Sequence, residues 1–162
     1  MSRALTIPSA TASLDPALPI RTKRWNDPVE PGDAYRLLVC RYRPRGVPKE
    51  TEPWDAWCKA FAPSEALHAA AYGKAGDPLP WPEYERRFHA EMERQRFWLE
   101  SFAARVRNGE TITLLCSSAC IDPGRCHRTL IAKLLEDAAF PAADASPERV
   151  VRRAVVDGRR RD

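Results

Sequence analysis

No stretch of this 162-residue chain approaches the roughly 18 consecutive apolar residues that a membrane-spanning helix needs. Residues 1–20 also lack the basic start and apolar centre of a secretory signal. These absences set the expectation of a cytoplasmic protein. Cysteine is sparse, with Cys40, Cys58, Cys116, Cys120 and Cys126 the only ones. An odd set in a reducing compartment excludes a disulfide framework, so each thiol is read as a core residue, a ligand or a nucleophile. Net charge is low, at +4, and is carried by far more arginine than lysine. Arginine suits bidentate recognition of phosphate and carboxylate, but so small an excess does not by itself mark a nucleic-acid binder.

What is present is the material of one domain. Apolar residues at 44% and charged residues at 30% place the chain among globular proteins, and its 15 prolines imply irregular connections. Residues 1–19, rich in Ser, Ala, Thr and Pro, read as a flexible N-terminal arm. Residues 20–156 read as the α/β domain and residues 157–162 as a basic tail. Strands are expected over residues 20–25, 35–42, 111–116 and 150–156. Two short helices are expected over residues 53–72, the first opened by Pro53, and a long one over residues 81–106. In the long helix Tyr84, Phe88, Met92, Leu99, Phe102 and Val106 share a face, and Asn108-Gly109 stops it. A last helix covers residues 126–140. Strands alternating with helices predict a mostly parallel sheet with helices on its faces.

In such sheets ligands bind beyond the carboxyl ends of the strands, which singles out the loop after Cys116. That loop leads into Cys126-His127-Arg128 at a helix start, where free N–H groups and the helix dipole favour anions and a thiolate; Arg125 and Arg128 add to the effect. Limiting alkylation is therefore expected to reach Cys126 or Cys116 before Cys40 and Cys58. Cys116 alone is better read as a small core residue. Together with three polar or reactive side chains opening the next helix, it is read as part of a site. Cys120 has no assigned role, and Asp122-Pro123 interrupts any phosphate cradle, because proline lacks an N–H. Arg41, Arg43 and Arg45, on a strand and its exit, are candidates to clamp an anion. His68 and His89 are read as bland, and Trp54, Trp57, Phe61, Trp81 and Trp98 as packing.

Several segments carry a family resemblance. Arg21-Thr22-Lys23-Arg24, Tyr35-Arg36-Leu37-Leu38-Val39, the run from Pro44 to Glu50 and Ala62-Pro63-Ser64 resemble the YeaO-like branch of the DUF488 family. Leu114-Leu115-Cys116 and Cys126-His127-Arg128 are similar to its other branch. The resemblance spans about residues 20–135. It implies a single Rossmann-like α/β domain and signature positions at Arg45, Gly46, Cys116, Cys126, His127 and Arg128, without implying a reaction. The chain departs from the pattern at Arg43, where tryptophan is usual, and at Ser118, where an acid is frequent.

The leading functional reading is an enzyme or sensor that binds a small anionic or nucleotide-like ligand. Cys116, Cys126, His127 and Arg128 form its reacting centre, and Arg43, Arg45, Gly46 and Arg125 contact the ligand. A zinc- or iron-binding module on Cys116, Cys126 and His127 is the second reading, and a nucleic-acid accessory protein using the arginines is the third.

Overall fold

The computed structural model describes residues 19–142. Most of the expected arm, the strand at 150–156 and the basic tail lie outside those residues. Strands β1 (Ile20–Arg24), β2 (Tyr35–Leu38), β3 (Ala56–Trp57) and β4 (Ile112–Cys116) form one sheet in the order β1-β4-β2-β3, and every pairing is parallel. Leu114 of β4 sits opposite Thr22 of β1 and Leu37 of β2. All five β4 residues are buried, which requires a continuous apolar and β-branched run rather than an alternating one. The single hydroxyl in that run, on Thr113, donates to the Asp33 carbonyl at 2.7 Å.

The helices are α1 (Glu65–Ala71), α2 (Trp81–Met92), α3 (Arg96–Arg107) and α4 (His127–Ala139). Ser64 caps α1 by accepting from the Leu67 N–H at 3.1 Å, and its own N–H and hydroxyl donate to Glu91 of α2. The expected stripe of Tyr84, Phe88, Met92, Leu99, Phe102 and Val106 is buried throughout, against Leu37, Val39, Ile112 and Leu114 of the sheet. Gly109, with φ at 88°, follows the end of α3. Leu38, Cys40, Leu115 and Cys116 form a second, smaller cluster with Trp54 and Cys126. No helix among the described residues is long and apolar enough to cross a membrane.

The expected α/β architecture with a parallel sheet is therefore present, but three local expectations are not met. The long helix is interrupted by a 3-10 turn at Glu93–Gln95. These three polar residues contribute nothing to the buried stripe, so no packing opposes the tighter turn. The segment after Pro53 is not a helix: the Asp55 N–H donates to the Arg36 carbonyl at 2.8 Å, and the Arg36 N–H donates to Asp55 Oδ2 at 2.7 Å. These bonds seat β3 on the sheet edge, so tertiary pairing overrides the local helix signal. Finally, β2 ends at Leu38 rather than continuing to Tyr42, although the Val39 N–H still donates to the Leu115 carbonyl at 2.9 Å.

Leu114 is fully buried in the middle of the central strand. Leu114→Ala is expected to cost about 2–5 kcal/mol in urea unfolding. A cost typical of a surface substitution would contradict this core assignment.

Candidate functional site

Parallel pairing brings the carboxyl ends of β1, β2 and β4 to one edge of the sheet. Arg24 lies opposite Cys116, and the Trp25 N–H donates to the Cys116 carbonyl at 2.8 Å. Beyond Cys116 the chain turns sharply, with the Cys120 N–H donating to the Ser117 carbonyl at 3.0 Å. Asp122 then accepts from the Gly124 N–H at 2.8 Å and opens a 3-10 turn in which Pro123 needs no donor. The turn delivers Cys126 to the N-cap of α4.

The two turns fold three thiols and an imidazole into one cluster. Cys116 Sγ lies 3.3 Å from Cys120 Sγ and 3.8 Å from His127 Nδ1. The ligand atoms of Cys116, Cys126 and His127 all lie within 4.8 Å of one another, and all three residues are buried. His127 Nε2 is 2.8 Å from the Val39 carbonyl, which only accepts, so Nε2 carries the hydrogen. Burial lowers the His127 pKa and keeps the ring neutral, so Nδ1 presents its lone pair to Cys116.

The thiols are not equivalent. Hydrogen bonding to Cys120, with burial added, raises the Cys116 pKa, and Cys126 is raised by hydrogen bonding to Cys116 and Cys120. Cys120 is lowered by the hydrogen bonds that Cys116 and Cys126 direct at it, against the opposing effect of burial. Of the three thiols, the thiolate form is thus favoured most at Cys120, the one that is half-buried. Arg128 is only 4% exposed, and among the described residues its Nε and Nη1 have no hydrogen-bond partner.

The cluster forms the floor of a cleft of about 900 Å³. Trp25, Tyr42, Tyr72 and Trp81 contribute aromatic walls. Four arginines line it, in different states. Arg43 donates to Glu52 Oε1 at 2.6 and 2.8 Å and to the Val47 carbonyl at 2.7 Å, so its guanidinium is committed to its own loop. Arg41 pairs with Glu65 at 3.2 Å. Arg45 and Arg125 are exposed and have no ion pair among the described residues. Gly46 is not part of the lining; its φ of 75° turns the loop that carries Arg45.

Of the residues singled out from the sequence, Cys116, Cys126, His127, Arg43, Arg45 and Arg125 meet at this cleft, whereas Arg128 lies buried behind it. Cys120, to which the sequence assigns no role, joins them, and its position four residues after Cys116 is the signal for it. His68, read as bland, also lines the cleft, with its ring centroid 5.2 Å from Tyr42 and 4.8 Å from Tyr72. The four-residue step from His68 to Tyr72 along α1 pointed to that pairing.

Fold and site together define a small α/β domain with a cysteine–histidine centre at the carboxyl edge of a parallel sheet. The chain belongs to the DUF488 family: the family model described as the Active DUF488-N3 subclade matches residues 20–139. It is similar to the uncharacterized protein YeaO of Escherichia coli (strain K12), at 34% identity over 99 residues, which are 61% of this chain and 83% of the relative. It is also similar to the uncharacterized protein Rv3073c of Mycobacterium tuberculosis (strain ATCC 25618 / H37Rv), at 25% identity over 116 residues, or 72% of this chain and 92% of the relative. No solved structure matches the chain.

Proposed function

We propose that this protein is a thiol-based enzyme that binds a small anionic or nucleotide-like molecule in the cleft and acts on it with the cysteine–histidine centre. The observation that carries this reading is the convergence of Arg45 and Arg125, both without ion pairs among the described residues, on the cavity that Cys116, Cys120, Cys126 and His127 floor. Free guanidinium forks supply charge-assisted, bidentate donors to phosphate or carboxylate. The aromatic walls suit a planar ring, and the neutral His127 keeps Nδ1 turned toward Cys116 at the edge of the thiol cluster.

The test is calorimetric binding of inorganic phosphate and of adenosine and guanosine 5′-monophosphate to the wild type and to Arg45→Ala and Arg125→Ala. Each substitution is expected to weaken binding by about 1.5–3 kcal/mol, roughly ten- to hundredfold. Arg45→Lys is expected to recover only part of the loss, because the planar fork is gone. Identical affinities for all four proteins would remove the anion-clamp reading.

The spacing of Cys116, Cys126 and His127 supports a second reading, a zinc or iron centre. The 3.8 Å from Cys116 Sγ to His127 Nδ1 is close to the tetrahedral edge of about 3.6 Å implied by Zn–S and Zn–N bonds of about 2.3 and 2.1 Å. The Val39 carbonyl orients the imidazole as an outer partner does in such sites. Stoichiometric metal in protein purified without chelator, lost on Cys126→Ser, would favour this reading over free thiols.

A further inference from the structure

We infer that Cys116 and Cys120 form an oxidative modification site: a peroxide converts the pair into an intramolecular disulfide that closes the thiol centre, and a thiol reductant reopens it. The regulatory consequence rests on the proposed thiol-based function, whereas formation of the bond does not.

The separation of the two sulfurs is the first support. At 3.3 Å they are closer than two sulfurs sharing a tetrahedral zinc, about 3.8 Å apart for bonds of about 2.3 Å. They must close by about 1.3 Å to reach a disulfide length of about 2.05 Å. The part of the chain that has to move is suited to it. Cys116 is fixed in the buried central strand, but Cys120 ends a short turn in which Ser118 and Ala119 are exposed. Access completes the case. Cys120 is half-buried and lines the cleft, so an oxidant reaches it first, while Cys116 lies behind it with 1% exposure. Cys126, the other nearby thiol, is 2% exposed and held at the α4 N-cap.

The chemistry balances with peroxide as the oxidant. The Cys120 sulfur attacks one peroxide oxygen, the O–O bond breaks, and a first water leaves as Cys120 becomes a sulfenic acid. The Cys116 sulfur then forms the S–S bond by displacing that hydroxyl, which departs as a second water with the Cys116 proton. Two thiols lose two hydrogens, and one peroxide becomes two waters. In the product neither sulfur is available as a nucleophile.

The experiment uses the full chain as isolated, exposed to stoichiometric hydrogen peroxide at neutral pH, then unfolded in urea, alkylated with excess iodoacetamide and digested with trypsin. Cys116 and Cys120 fall in one tryptic peptide, residues 108–125, and Cys126 in the next. The expected product is that peptide lacking two hydrogens and both alkyl groups, restored by dithiothreitol, with Cys40, Cys58 and Cys126 still alkylated. Cys126→Ser should still form the bond, and Cys120→Ser should leave Cys116 reduced. A Cys120 sulfinic acid without pairing, a cross-link to Cys126, or oxidation that begins only after a chelator is added would each overturn the assignment. Phosphate and nucleotide binding, measured on the same samples, separates the two claims. A disulfide that forms in a protein without anion affinity leaves this site standing and removes the functional reading.

Discussion

Replacing Asp33 with alanine is expected to destabilise the domain by about 3–5 kcal/mol, the range found when one partner of a buried ion pair is removed. Asp33 is 1% exposed and lies just before β2. Its carboxylate pairs with Arg36, with Lys23 at 2.9 Å and with Arg21 at 3.3 Å, and it accepts the Glu30 N–H at 3.0 Å. Arg36 is itself buried, so alanine would strand a guanidinium inside the protein. Asp33→Asn, which keeps part of the hydrogen bonding, should cost less.

The same cluster sets the acid limit of stability. Burial opposes ionisation of Asp33, but hydrogen bonding and charge from Lys23, the Glu30 N–H and Arg36 outweigh it, holding the folded pKa below the ordinary 3.8. The unfolded chain therefore takes up its proton first as pH falls. The Asp33 contribution is complete above about pH 4 and is lost as pH falls through the lower folded value. Urea titrations at decreasing pH should show the wild type losing more stability below pH 4 than Asp33→Asn. Parallel curves would mean that the carboxylate is not what the cluster protects.

The second large effect expected is in thiol labelling. With limiting iodoacetamide near neutral pH, Cys120 should be alkylated well before the other four cysteines, and Cys120→Ser should abolish the fast phase. Cys40, Cys58, Cys116 and Cys126 are all buried, and only Cys120 reaches the cleft half-exposed. Burial raises the Cys58 pKa as well, withdrawing it further. Peptide mass analysis reads the order directly, and uniform labelling of all five would contradict the arrangement described.

That expectation puts Cys120 in place of Cys126 or Cys116, and the reason shows where the sequence stops being informative. A helix start flanked by Arg125, His127 and Arg128 correctly places Cys126 at an N-cap, but one-dimensional order carries no information on exposure, and Cys126 turns inward. Cys120 was obscured because its partners act on it through a turn rather than through a periodic element. The central strand, by contrast, was readable, because burial on both faces demands a run of apolar and β-branched residues such as that at 112–116. The α2–α3 stripe was readable because helical spacing survives a three-residue interruption. The segment after Pro53 was not, since its pairing partner, Arg36, lies 19 residues away from Asp55.

The bond from His127 Nε2 to the Val39 carbonyl has an evolutionary consequence. The group that selects the tautomer belongs to the main chain, and every amino acid offers the same carbonyl, so no single exchange at position 39 deletes it. A side-chain acceptor would be open to loss by one codon change. Here drift in side chains can reshape the cleft and alter what it admits while the imidazole keeps presenting the same nitrogen to Cys116. Only a shift of the backbone at Val39 itself would turn it, so the orientation of the ring is independent of the side chains that shape the walls.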